Sequence, residues 1–292
     1  MSQQFTGAGV ALITPFNSNN QIDVKALETV VQNQVNGGMD YLVALGTTAE
    51  ASTLTSVEKS KIIEIVKKNA GNLPVVVGIG GNDTQKVIDN IKSTNLDGVA
   101  GLLVVTPYYN KPTQEGMFRH YMAIAGASEL PIILYNVPSR TGINLECETV
   151  VRLAEASEKF VAVKEASGVM SQITSIAKHA PAGFSVISGD DVLALPTMAI
   201  GGKGVISVIA NALPEKVSSL IHLAAEGKYN EATKIHFDLI DLLKYIFKEG
   251  NPGGVKALMN YMGLVENELR LPLYKVSDKT VEEIIDAYLK IK

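Results

Sequence analysis

The hydrophobic pattern of the chain breaks into eight short apolar runs at near-regular intervals: Gly9–Phe16, Tyr41–Leu45, Val75–Ile79, Gly101–Thr106, Ile132–Tyr135, Val161–Lys164, Ser185–Ser188 and Val205–Val208. Most are rich in Val, Ile and Leu, and most are apolar at every position rather than every second one. Strands buried on both faces of a parallel sheet have this pattern, because neither face meets water. Most of the intervals carry helical stripes with a start signal. Asp23 precedes Leu27, Val30, Val31 and Gln34. Ser56 precedes Ile62, Ile63 and Val66, with Lys59 where a capping box would want Glu, and Asn82 or Asp83 can cap the stripe Val87, Ile88, Ile91. Polar caps followed by apolar stripes predict helices.

Eight strand–helix alternations predict a (β/α)8 barrel over residues 1–225, in preference to an open doubly wound sheet. The pattern then changes. Tyr229–Phe247, Gly254–Met262 and Lys279–Leu289 read as helices with no strand among them. Residues 226–292 are therefore expected to form a helical appendage packed on the barrel, with no Gly/Ser linker before it.

Composition narrows the class. The chain has 292 residues, 46% hydrophobic and 19% charged, an ordinary globular profile. A formal net charge of −4 and the lack of a basic block argue against nucleic acid or anionic membranes as partners. Met1-Ser2-Gln3-Gln4-Phe5 lacks the features of a signal peptide, and every apolar run is too short to span a membrane. Cys147 is the only cysteine, so an intrachain disulfide is impossible and a reduced, cytoplasmic setting is expected.

Lys164 is the sharpest chemical signal. It closes the run Phe160-Val161-Ala162-Val163, at the strand end where barrel enzymes place catalytic groups. A lysine desolvated there is a nucleophile for carbonyls. The other reading, a lysine paired with Glu165 or reaching out to solvent, fits a strand end in a barrel less well. Tyr135 ends the preceding strand and is either a proton shuttle or a core tyrosine. Gly46-Thr47-Thr48 offers hydroxyls and loop amides suited to a carboxylate, or is a plain turn. Arg140 in Pro138-Ser139-Arg140-Thr141-Gly142 is placed to grip a carboxylate or is merely solvated. Asp190 and Asp191 read as helix caps, one of which could line the mouth. His120, His179, His222 and His236 are scattered through helical stretches in no ligand pattern, so neither a metal nor a cofactor is expected.

Five ordered segments carry a resemblance. Gly46-Thr47-Thr48-Ala49-Glu50, Thr106-Pro107-Tyr108-Tyr109-Asn110-Lys111-Pro112, Tyr135-Asn136-Val137-Pro138-Ser139-Arg140-Thr141-Gly142, Lys164-Glu165-Ala166-Ser167-Gly168 and Ser188-Gly189-Asp190-Asp191 resemble dihydrodipicolinate synthase. The likeness runs from about Gly7 to Leu273. It implies a lyase that condenses pyruvate with L-aspartate 4-semialdehyde, on the route to diaminopimelate and lysine. It further implies that Lys164 forms the Schiff base and Tyr135 donates and accepts protons. Thr47 and Tyr109 would complete a relay, with Tyr109 supplied by a neighbouring subunit of a homo-oligomer that is at least a dimer. Thr48 and the backbone at Ile206 would hold the pyruvate end, Gly189 would join the substrate-binding set, and Arg140 would bind the semialdehyde carboxylate.

One position departs from the family pattern. Ala49 stands where the family has Gly, which would strain the loop if φ were positive there; the small methyl is expected to be tolerated. The nearest rival is a sister pyruvate-imine aldolase, such as N-acetylneuraminate lyase or a keto-deoxy sugar-acid aldolase. Arg140 suits a short acidic aldehyde better than a polyol. A barrel that senses a small acid without turnover would not need a buried lysine facing a tyrosine. Lysine-sensitive members of the family bind L-lysine beside a Tyr-Tyr pair, through an acid and histidines. Tyr108 and Asn82 match, but Lys86 stands in place of the acid and Ser56 and Lys59 in place of the histidines, so weak or absent inhibition is expected.

Overall fold

The apolar runs pair with one another in parallel. A computed structural model describes residues 5–291; Met1–Gln4, part of the segment read above for a leader, and Lys292 lie outside the described residues. The strands are β1 (Gly7–Ala11), β2 (Tyr41–Ala44), β3 (Val75–Gly78), β4 (Gly101–Val105), β5 (Ile132–Asn136), β6 (Phe160–Glu165), β7 (Ser185–Ser188) and β8 (Gly204–Ser207). They close in sequence order into a parallel barrel. The seam brings β1 and β8 together at Gly7 opposite Gly204, where a Cβ on Gly204 would collide with the Gly7 carbonyl. The first run overshoots its strand. β1 ends at Ala11, and the apolar residues from Leu12 to Phe16 are buried outside the sheet.

The helices are α1 (Val24–Asn36), α2 (Ser56–Asn69), α3 (Thr84–Ser93), α4 (Gln114–Ala127), α5 (Pro138–Thr141), α6 (Cys147–Ala156), α7 (Met170–His179), α8 (Ala194–Ala199), α9 (Pro214–Ala225), α10 (Tyr229–Ile246), α11 (Gly253–Tyr261) and α12 (Asp278–Leu289). Asp23 caps α1 through the Ala26 N–H, and Asp83 rather than Asn82 caps α3. At α2 the expected cap was one residue late. Thr55 is the N-cap, and Glu58 at the third helical position completes a true capping box, so Ser56 and Lys59 do not play those parts.

The core has two layers. Val43, Val76, Leu103, Ile133, Ala162, Ile187 and Ile206 fill the barrel interior, while a larger apolar layer separates strands from helices. Each fully buried Val, Leu or Ile contributes roughly 1.5–3 kcal/mol. α10 packs on α9 and α8, α11 meets the turn after β8, and α12 packs on α10 and α11. α11 is buried throughout Gly253–Met259, including Lys256, which forces an internal partner for its charge. Among the described residues, no helix is long and apolar enough to cross a membrane.

Candidate active site

Tyr135 and Lys164 are register partners on β5 and β6, so both side chains enter the barrel at one level near the C-terminal strand ends. Lys164 is 4% exposed, and its Nζ stands 4.5 Å from the centroid of the Tyr135 ring. The alternative pairing with Glu165 does not form. The Glu165 carboxylate accepts hydrogen bonds from Asn136 Nδ2, Gln172 Nε2 and the Ser167 N–H on the opposite side of the strand. Those bonds anchor the end of β6 while leaving the Lys164 amine without an anionic partner among the described residues. An amine held so is a nucleophile for a carbonyl carbon.

β7 ends against this lysine. A Cβ at Gly189 would lie 2.7 Å from the Ala166 Cβ and 3.1 Å from Lys164 Cε and Cγ. The glycine thus leaves the stem of Lys164 its channel. Ile206, on β8, belongs to the same interior layer. Asp190 and Asp191 do not cap α8, whose N-cap is Leu193. Asp190 Oδ1 accepts from the Val192 N–H in a local turn. Asp191 is buried, and its Oδ2 accepts from the Val208 and Ile209 N–H groups, fixing the loop after β8. Burial pushes its carboxyl above the ordinary aspartate value, and the hydrogen bonds from Ser207, Val208 and Ile209 oppose that rise.

After β2 the chain makes a 3₁₀ turn, Thr47–Ala49. Thr48 is buried and its Oγ1 accepts a hydrogen bond from Asn251 Nδ2 at 3.0 Å. Ala49 has no positive φ, so its methyl adds no backbone strain. The left-handed residues of this loop are Leu45 (φ 57°) and Glu50 (φ 54°).

A cavity of about 680 Å³ has Thr47, Tyr108, Tyr135 and Arg140 on its wall, together with residues of α2 and α3, Lys59 among them. Arg140 is exposed on the one-turn helix α5 at the rim. Lys164, Thr48, Gly189 and Ile206 are not on this wall, whereas Tyr135, whose ring centroid lies 4.5 Å from Lys164 Nζ, is. Tyr109 is also absent from the wall. It is 88% exposed with φ 69°.

The C-terminal region supplies parts that the sequence reading missed. Lys256 Nζ donates to Glu50 Oε1 at 2.5 Å and to the Glu268 carbonyl, with both side chains of the ion pair wholly buried. Burial pushes the Lys256 ammonium below the ordinary lysine value, and the Glu50 carboxylate counters that fall. Glu50 Oε2 accepts from the Arg270 N–H, and the Arg270 guanidinium forks onto Glu58. The visible signal was a lysine in the middle of an apolar helical stripe. Among the described residues, no group of three or more His, Cys, Asp and Glu is placed to hold a metal ion.

Comparison with known proteins agrees in kind. The family model of the dihydrodipicolinate synthetase family matches residues 4–291. The 4-hydroxy-tetrahydrodipicolinate synthase of Parabacteroides distasonis is 50% identical over 279 residues, covering 95% of this chain and 94% of that protein. The structure of the enzyme of that name from Methylacidiphilum fumariolicum superposes with a TM-score of 0.95 at 38% identity, covering 99% of this chain and 96% of that one. A chloride-inhibited dihydrodipicolinate synthase from Acinetobacter baumannii, complexed with pyruvate, gives 0.95 at 38% identity, with 98% of each chain covered. With a closed eight-stranded barrel, a buried lysine facing a tyrosine, and a match along nearly the whole sequence, this chain belongs to the dihydrodipicolinate synthetase family.

Proposed function

We propose that this chain is a lyase that condenses pyruvate with L-aspartate 4-semialdehyde through an imine on Lys164, without a cofactor. The observation that carries the reading is the buried Lys164 amine, free of any acidic partner among the described residues and set against the Tyr135 ring. The amine adds to the pyruvate carbonyl carbon, and loss of water gives the imine. The imine draws electrons from the neighbouring methyl, which loses a proton and becomes an enamine carbon. That carbon attacks the aldehyde, a C–C bond forms, and the aldehyde oxygen takes a proton. The semialdehyde's own amine then adds to the imine carbon and releases Lys164.

Tyr135 is the group best placed to move these protons, since its ring centroid lies 4.5 Å from Lys164 Nζ and it also lines the cavity. Thr47 lines the same cavity and offers a second hydroxyl. Thr48, Gly189 and the backbone of Ile206 are assigned to the pyruvate end. Arg140 on the rim is assigned to the semialdehyde carboxylate, which a guanidinium grips bidentately. That rim cation favours a short acidic aldehyde over the polyol chain of a sugar-acid aldolase. We assign Tyr109 to the site of a second subunit, because its side chain is exposed and its backbone is left-handed in a single chain. The active unit is then a homo-oligomer, at least a dimer. We take residues 1–225 as the barrel and 226–292 as an appendage. The proposed compartment is the cytoplasm, in keeping with the lone Cys147.

The test is reduction with borohydride in the presence of pyruvate, followed by peptide mass mapping. A stable adduct on Lys164, lost in Lys164→Ala, is expected. An adduct on Lys111 or Lys203 would overturn the assignment.

A further inference from the structure

The site draws a residue from outside the barrel. We propose that Asn251, at the start of the C-terminal helix α11, is a positioning residue that aims the Thr48 hydroxyl proton at the carboxylate of pyruvate. The inference rests on the assignment of Thr48 to the pyruvate end given above. A hydroxyl has one proton to donate and two lone pairs that accept. Asn251 Nδ2 donates to Thr48 Oγ1 at 3.0 Å, which occupies one of those lone pairs. The Thr48 proton is thereby turned away from Asn251, and it has no acceptor among the described residues. Thr48 is 2% exposed, so water cannot readily compete for that proton. The result is an oriented, uncommitted donor waiting for an anion.

Both partners are held rigidly. Glu50 lies two residues beyond Thr48 and binds Lys256, which lies five residues beyond Asn251 in the first turns of α11. The same carboxylate takes the Arg270 N–H with its other oxygen. The buried pair bolts the 3₁₀ turn carrying Thr48 to the helix start carrying Asn251. A hydrogen bond between two loosely held groups would not preorganise a donor; this one spans a fixed frame.

The carboxylate that Thr48 would meet is charged, and loss of an aimed donor to a charged group corresponds to roughly a 10- to 100-fold weakening. Steady-state kinetics of Asn251→Ala, Thr48→Val and the double variant test the idea as a cycle. Asn251→Ala should raise the KM for pyruvate by about that factor and leave the KM for the semialdehyde unchanged. In the Thr48→Val background the same substitution should add little, because the donor it aims is gone. An equal penalty in both backgrounds, or none in the first, would overturn the proposal. Asn251→Asp, which keeps the shape but can only accept, should pull the proton back and raise the pyruvate KM further; it also serves if Asn251→Ala fails to fold. An unchanged pyruvate KM in Asn251→Asp would count equally against it. Borohydride trapping on the wild type keeps the two readings apart. Failure to label Lys164 would sink the imine mechanism, whereas labelling with an additive cycle would sink only the role of Asn251.

Discussion

Gly189→Ala offers a direct test of how tightly the barrel mouth positions Lys164. The added Cβ would lie 2.7 Å from the Ala166 Cβ and 3.1 Å from two carbons of the lysine stem. Ordinary carbon contacts begin near 3.5 Å, so the stem must move by roughly half an ångström and the Ala166 methyl by more. Neither can move freely. Ala166 is held by its N–H to the Asn136 carbonyl, and Gly189 by its own N–H to the Glu165 carbonyl at 2.7 Å. Overpacking of this kind costs about 1–3 kcal/mol of stability. The larger consequence is catalytic, since catalytic groups must be held within about 0.5 Å of productive geometry and a 1 Å misplacement costs about 100-fold. The rate of imine formation should fall by about 10- to 100-fold. Rapid mixing with pyruvate, quenching with borohydride and intact-mass analysis measure that rate without the second substrate. If Gly189→Ala forms the imine as fast as wild type while remaining folded, the close approach of Gly189 does not set the position of Lys164.

Three further outcomes follow from the geometry. Lys256→Met alone should destabilise the chain by about 3–5 kcal/mol by stranding the Glu50 charge, and Lys256→Met with Glu50→Gln should recover much of it; denaturant unfolding measures both. Glu58 is held down to about 2 from the ordinary value of 4.5, first by its hydrogen bonds from Arg270. A lowered folded-state value means stability fully present above pH 4.5 and lost as pH falls towards 2, so Arg270→Leu should cost ~1–3 kcal/mol at neutral pH and flatten acid unfolding in that window. L-Lysine should inhibit weakly, because Lys86 stands where the family resemblance expects an acid and Lys59 where it expects a histidine, so the effector's ammonium meets positive charge; half-inhibition below about 1 mM, a binding energy of about −4 kcal/mol, would contradict that.

The barrel was legible because its strands are apolar on both faces and its helices carry caps, both local signals. The errors were local too. The overshoot of β1 arose because Leu12 to Phe16 are as buried as a strand without being one. At α2, Ser56 and Thr55 are both plausible caps by residue type, and only Thr55 has Glu58 at the spacing that completes the box. Lys164 and Tyr135 could be paired in advance because consecutive strands are neighbours in this fold. The bond between Asn251 and Thr48 could not, since 203 residues separate them, and 206 separate Lys256 from Glu50. No periodicity reports contacts at that range. Tyr109 is legible in neither way: it lies outside every strand and helix, and its side chain is exposed.

The link from Thr48 to Asn251 also has a consequence in time. As the chain emerges from the ribosome, the loop that carries Thr48 appears early, but its Glu50 carboxylate must wait for Lys256 and the Arg270 amide. Until then the Glu50 carboxylate has neither of these two partners, and the nascent barrel holds Lys164 beside a Thr48 loop that is not yet anchored. Completion of the site therefore coincides with delivery of the last helices, which ties the onset of turnover to the end of folding.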